Sequence, residues 1–256
     1  MSDSDQPSYS MLNLKTQTQS DLDYAQGIND YFPASLGTPR EKLQNFTKFV
    51  SRQTLSHFLA KHAIFQRVLP CHGCFVECGV FLGGGLMTWA QLSAIYEPYN
   101  HTRRIFGFDT FTGFPSLHEK DKPQSIDYVE EGGLAANAEE DIRAGLRLFD
   151  QNRPIGHIPR VELVVGDAIA TIPQFLESNP HLVVAMLYLD FDLYEPTKVA
   201  LETFLPRMPK GAVIVFDELN QAEWPGETLA VLDAVGLRQL RIERFPFTPQ
   251  ISYAVL

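Results

Sequence analysis

The sequence predicts an α/β protein built on a doubly wound, mainly parallel seven-stranded sheet, and three observations predict it. From Pro70 onward short apolar runs alternate with stretches of helical spacing, the pattern of strands joined by crossover helices. Acidic residues stand at the ends of successive strands, where an open parallel sheet gathers its ligands. The chain has 256 residues, 45% hydrophobic and 20% charged, ordinary values for a globular domain able to bury a core without a disulfide or metal staple.

Residues 1–20 are polar and aperiodic, so a mobile arm is expected there. Thr38-Pro39-Arg40-Glu41 supplies a capping hydroxyl, a proline at the first helical position and a glutamate at the third. Leu43, Phe46, Val50, Phe58 and Leu59 then recur near helical spacing, which predicts one long helix running toward Leu69. Residues 1–69 thus form an N-terminal arm and helical lid, and residues 70–256 the cofactor-binding core of what is expected to be one structural domain.

Beyond Pro70 the expected strands are Cys74–Cys78, Ile105–Asp109, Val161–Val165, Val183–Asp190, Ala212–Asp217, Leu240–Phe245 and Ile251–Leu256. Helices are expected over Leu86–Tyr96, Ala138–Asp150, Ile169–Glu177, Pro196–Met208 and Glu227–Val235. The short Pro-containing link between the last two strands predicts an antiparallel hairpin. Phe111–Asn137 is long, charged and aperiodic, and it follows the second strand. A segment of that kind is expected to be a lid near any ligand at the sheet's carboxyl edge.

The net charge of −10, with no block of Lys or Arg, argues against a nucleic-acid partner. No apolar run is long enough to span a membrane. The opening Met1-Ser2-Asp3-Ser4-Asp5 lacks the basic and apolar regions of a signal peptide, so cytoplasmic residence is the expectation. Cys71-His72-Gly73-Cys74, with Cys78 nearby, could be a redox or zinc pair. A zinc site needs four ligands, and Cys78 falls at a buried strand end, so reduced thiols packed as small apolar groups are favoured.

Glu77-Cys78-Gly79-Val80-Phe81-Leu82-Gly83-Gly84-Gly85 follows the first strand and opens a helix. Gly79 is followed by three bulky residues, which breaks the dinucleotide fingerprint and favours a cofactor without phosphates. Asp109, ending the second strand, can accept both ribose hydroxyls of an adenosine. Glu77 could face the cationic amino end of a methionine moiety, and Asp167, ending the third strand, could reach the adenine. The fourth strand ends in Asp190-Phe191-Asp192 and the fifth in Asp217-Glu218. Acids at adjacent parallel strand ends converge in one crevice and suit magnesium that keeps waters and binds substrate oxygens. Such a metal would lower the pKa of a sugar or phenol hydroxyl, and a neighbouring carboxylate could take the proton. Asp190 and Asp217 could instead merely cap helices, but four like charges are a costly route to two caps.

These residues resemble the macrocin O-methyltransferase family, whose members methylate sugar hydroxyls in antibiotic biosynthesis. The resemblance rests on Phe49-Val50-Ser51-Arg52-Gln53, Val76-Glu77-Cys78-Gly79-Val80, Phe108-Asp109-Thr110-Phe111-Thr112-Gly113-Phe114-Pro115, Asp190-Phe191-Asp192-Leu193-Tyr194 and Asp217-Glu218, and covers most of the chain from about Phe46. It implies a Rossmann-like class I methyltransferase fold with S-adenosylmethionine and magnesium or another divalent cation. The implied metal ligands are Asp190, Asp217 and Glu218, although the family usually has two aspartates at the last pair. Cofactor-binding candidates are Glu77, Gly79, Phe81, Gly83, Asp109, Thr110, Phe111, Asp167 and Asp190. Asp190 resembles a residue proposed as both ligand and base, Asp192 is a second base candidate, and His118 or His157, flanking the lid, could assist. Arg52 and Gln53 would touch the substrate or brace the lid. No lysine follows Asp190 where catechol-type enzymes carry a catalytic one. The acceptor would be a sugar-containing small molecule, either a nucleotide-linked deoxysugar or a finished glycoside, and a homo-oligomer formed through the N-terminal region is compatible with the family. The alternatives are a nicotinamide-dependent oxidoreductase, against which the broken glycine pattern counts, and a non-catalytic cofactor-binding protein.

Overall fold

A computed structural model describes residues 18–122 and 129–256. Most of the expected N-terminal arm, and residues 123–128 of the expected lid, lie outside the described residues. The chain divides into two compact units, Met1–Leu55 and Ser56–Leu256.

The first unit holds α1 (Gln19–Ala34), α2 (Pro39–Gln44), a 3-10 turn (Phe46–Lys48) and the opening of α3 (Arg52–Val68). The expected arm therefore ends in a helix: Asp21 accepts the Thr18 backbone N–H at 2.8 Å and closes the first turn. None of its residues is buried, so α1 has no core-facing apolar stripe from which to be read. The capping box at Thr38 forms as expected, with the Thr38 N–H donating to Glu41 at 2.8 Å. The single long helix does not form. Asn45 leaves helical geometry (φ −113°, ψ 33°), and Ser51 Oγ accepts the Thr54 N–H at 3.0 Å, starting a new helix. The apolar spacing runs through this break, and the capping serine marks it.

The second unit contains β1 (Cys74–Cys78), α4 (Gly84–Tyr96), β2 (Ile105–Asp109), α5 (Glu139–Gln151), β3 (Val161–Val165), α6 (Ala168–Ser178), β4 (Val184–Leu189), α7 (Tyr194–Phe204), β5 (Val213–Phe216), α8 (Pro225–Ala234), β6 (Ile242–Arg244) and β7 (Ser252–Val255). They form a seven-stranded sheet in the order β3-β2-β1-β4-β5-β7-β6. β1 to β5 pair in parallel, while β7 runs antiparallel to both β5 and β6.

Side-chain alternation sorts the strands into two cores. Phe75, Ile105, Met186, Val213 and Tyr253 point to the face covered by α3, α4 and α5. Val76, Phe106, Leu187, Ile214 and Ala254 point to the face covered by α6, α7 and α8. Because β1, β2, β4 and β5 are buried over most of their length, they read as near-continuous apolar runs, whereas the edge strand β3 keeps Glu162 and Val165 exposed. Burying each large side chain stabilises the fold by about 1.5–3 kcal/mol. Chain order reverses between β1 and β4, and in open α/β sheets ligands bind beyond the carboxyl ends of the strands at such a switch point. The three cysteines are free, and Cys78 is wholly buried. Among the described residues no helix is long and apolar enough to cross a membrane.

Candidate active site

The turn after β1 is fixed by two contacts. Gly79 has φ +92°, and a Cβ there would lie 1.9 Å from the Asp190 carbonyl oxygen. Only glycine allows the β1 turn to come this close to the end of β4. Asp109 supplies the second contact: its Oδ2 accepts the Val80 and Phe81 N–H groups at 2.7 and 2.8 Å. Its Oδ1 accepts the Phe111 N–H at 2.7 Å. Three of the four carboxylate lone pairs are thereby used on backbone, leaving one for a ligand hydroxyl where the sequence suggested two.

A cavity of about 280 Å³ opens beside this carboxylate. Gly79, Phe81, Asp109 and Thr110 line one side, Asp167 with Ala168 and Ile169 another, and Asp190 through Leu193 a third. The segment after β2 contributes Gly113, Phe114, Pro115 and Ser116, with Gly133 and Leu134 from its returning arm. The two arms are held together by hydrogen bonds from Phe114 N–H to Gly133 O (3.1 Å) and from Gly132 N–H to Phe114 O (2.9 Å). Phe81, Phe111 and Asp192 all have positive φ (52°, 58° and 63°), a strained backbone for non-glycine residues that tends to cluster at functional sites. Among the described residues the lining contains four aspartates and no Lys, Arg or His. That suits a cationic ligand and disfavours the pyrophosphate of a dinucleotide.

Several expected cofactor residues stand outside the lining. Glu77 is buried against the first turn of α4, where a Cβ on Gly85 would lie 2.0 Å from its Oε1. Burial pushes its carboxyl up to about 8, the Lys61 ammonium pulls the other way, and Asp217 and Asp109 add to the rise. Gly83 caps α4 in a left-handed conformation. Phe111 is buried in the core cluster. Asp167 lines the cavity and also caps α6, accepting the Ile169 N–H at 3.0 Å.

The acids after β4 and β5 converge. Asp190, Asp192 and Glu218 each place a carboxylate oxygen within 4.8 Å of the others. Asp190 and Asp192 keep some surface open to the cavity, yet they sit deep enough that burial raises both, Asp192 to about 8. The Asp217 carboxylate is the largest charge contribution raising Asp190, Asp192, Glu218 and Glu227. Asp217 itself accepts the Tyr188 hydroxyl. Glu227, wholly buried at the start of α8, accepts the Glu218 N–H at 3.1 Å. Glu218 Oε2, Glu227 Oε2 and Glu77 Oε2 are buried without a hydrogen-bond partner.

The histidines stand apart from this cluster. The His118 ring packs on Tyr194 at 4.7 Å, and its Nδ1 accepts the Lys120 N–H at 3.1 Å. His157 is exposed. Neither lines the cavity. Arg52 and Gln53 open α3 in the first unit. Sequence reasoning missed Lys61, Asp121 and Glu227. Lys61 sits mid-helix with no local signal, and Glu227 in Pro225-Gly226-Glu227 reads only as an acid in a first helical turn.

Comparison with known proteins places the chain in a family. The sequence model of the macrocin-O-methyltransferase (TylF) family matches residues 45–232. A 4'-O-methyltransferase of Streptomyces olivaceus, acting on 8-demethyl-8-(2,3-dimethoxy-alpha-L-rhamnosyl)-tetracenomycin C, is 26% identical over 57% of this chain and about half (52%) of its own length. The crystal structure of CalS11, a calicheamicin methyltransferase, superposes with a TM-score of 0.89 at 34% identity, covering 93% of each chain. The apo form of CalS11, described as a TDP-rhamnose 3'-O-methyltransferase, superposes at 0.82 with 32% identity, over 93% of this chain and 95% of that one. NovP, an O-methyltransferase at 19% identity and TM-score 0.59, shares the fold. A seven-stranded sheet of this order, a glycine turn locked by the acid of the second strand, and a family match across most of the chain converge on one assignment: the protein belongs to the macrocin-O-methyltransferase family.

Proposed function

We propose that the protein transfers a methyl group from S-adenosylmethionine to a hydroxyl of a deoxysugar, either nucleotide-linked or carried by a natural product, with help from a divalent cation. The observation that carries this reading is the convergence of Asp190, Asp192 and Glu218 beside a cavity lined by aspartates. The names of the relatives support the sugar acceptor.

S-adenosylmethionine supplies, when bound, a sulfonium-activated methyl group. Asp109 would hold the ribose end with its remaining lone pair, and Gly166 to Ile169, which line the cavity, would flank the adenine. The carboxylates on the other sides favour a positively charged methyl donor and weaken for the neutral product. The acids fit a divalent cation: Glu218 Oε2 is buried and unpartnered, and burial first, then repulsion from the neighbouring carboxylates, raises Glu218. Asp190 and Glu218 would be ligands, with Asp217 and Asp192 completing the charge. Such a cation supplies Lewis acidity that lowers the pKa of an alcohol and orients it. Asp192 lines the cavity beside Asp190 and Glu218. It would take the hydroxyl proton as the new carbon–oxygen bond forms.

The test is an assay with methyl-labelled S-adenosylmethionine against TDP-rhamnose and a rhamnosylated polyketide, with chelator or with added magnesium. Label should enter the sugar of at least one acceptor, and chelator should remove most of the rate. Transfer that survives complete chelation would refute the cation's role while leaving methyl transfer standing.

A further inference from the structure

We propose that Asp121, in the segment between β2 and α5, is a positioning residue that holds the turn Asp190–Leu193 in shape. The proposal rests on the reading that this turn carries the ligand and base aspartates.

Asp121 is only 2% exposed, although His118, Glu119 and Lys122 around it are exposed. Its carboxylate joins two distant stretches of main chain. Oδ1 accepts the N–H of Tyr194, the first residue of α7, at 2.6 Å. Oδ2 accepts the His118 N–H at 2.8 Å. A third segment closes on the same point: a Cβ on Gly226 would lie 2.3 Å from Asp121 Oδ1 and 2.6 Å from the Tyr194 nitrogen. Any larger residue would push the start of α8 away from this junction.

Tyr194 follows directly on the aspartate turn. Leu193 at its N-cap is extended and offers no capping side chain, so the first N–H of α7 is satisfied from 73 residues away. Asp192 holds φ +63°, a conformation that costs energy in an aspartate and persists only when surrounding contacts enforce it. The bond from Asp121 is such a contact, two residues downstream. Further contacts hold the same junction. Lys120 lies over the Tyr194 ring at 4.1 Å and pairs with Asp233, and the Tyr194 hydroxyl donates to Asp233 at 2.8 Å. The near arm of the segment after β2 is therefore fastened to the start of α7 through both main chain and ring.

The experiment uses the full chain carrying Asp121→Ala or Asp121→Asn. It reads amide hydrogen exchange by peptide and, by calorimetry, the affinity for magnesium alone. With Asp121→Ala, exchange over residues 190–194 should rise while that over residues 78–83 stays unchanged. Magnesium affinity should fall by about tenfold or more, the usual effect of losing a residue that orients metal ligands. Asn keeps one acceptor for the Tyr194 N–H, so Asp121→Asn should recover most of that affinity. It also stands in if the alanine variant fails to fold. Faster exchange confined to residues 118–122, with 190–194 unchanged, would overturn the proposal and leave Asp121 a cap of its own 3-10 turn. A parent protein that takes up no magnesium would sink the cation reading, and exchange over residues 190–194 would still decide the role of Asp121.

Discussion

Asp109 shows how one carboxylate serves fold and site together: Oδ2 fastens the turn after β1, Oδ1 the turn after β2, and one lone pair remains for a ligand. Asp109→Ala leaves three backbone donors without this acceptor. We expect a stability loss of about 2–4 kcal/mol in denaturant titration, with S-adenosylmethionine binding lost at temperatures where the variant is still folded. Unchanged binding would mean the cofactor does not use this residue. Glu218 tests the other half of the site. Glu218→Gln keeps the shape and removes the charge, so magnesium affinity should fall by about tenfold or more while cofactor affinity stays within a few-fold. The strand-end acids were legible because each directly follows an apolar run that fixes its place on the sheet. Lys61, Asp121 and Glu227 were not, because each acts on a group far from it in sequence or on another element. No local pattern records such a partner.

Among the elements, the strands and helices of the second unit were readable within a few residues, since their apolar periodicity faces two real cores. The misses each have a physical source. α1 buries nothing and so leaves no periodic trace. The break before α3 is made by backbone capping at Ser51 while the apolar spacing continues across it. α7 begins at Tyr194, ahead of the expected start at Pro196, because its cap comes from Asp121. The glycines after β1 were expected to admit a ligand. Gly79 lines the cavity and also admits another strand's backbone, and Gly85 admits the Glu77 carboxylate. Gly79→Ala should therefore separate the ends of β1 and β4. A positive φ and a 1.9 Å overlap predict a loss of stability well beyond the roughly 1 kcal/mol of an ordinary glycine effect. A thermal melt within a degree of the parent would contradict that packing.

At the scale of the whole molecule, the protein concentrates buried negative charge at one edge of its sheet, within a chain of net charge −10. Glu77 and Asp192 are raised to about 8, and Asp190, Glu218 and Glu227 are raised as well, burial being the first cause for each. The folded state holds these protons more tightly than the unfolded chain. Their contribution to stability is therefore complete below the ordinary carboxylate range and is lost as pH rises through about 8. Chelator-treated protein should melt at progressively lower temperature between about pH 6 and about pH 8.5, and magnesium should flatten that slope by favouring the ionised acids. A melting temperature that climbs with pH over this window would show that the acids are not buried together.

The central claim is that one crevice holds a cationic methyl donor and a divalent cation side by side. Calorimetric titration of S-adenosylmethionine and then magnesium into chelator-treated protein tests it most directly, with Asp109→Ala and Glu218→Gln as controls. The account predicts that the parent binds both, that Asp109→Ala loses the cofactor, and that Glu218→Gln loses much of its magnesium affinity and keeps the cofactor. A folded parent that binds S-adenosylmethionine but takes up magnesium no better than Glu218→Gln would contradict the paired site, and one that binds neither would contradict the methyl-transfer reading.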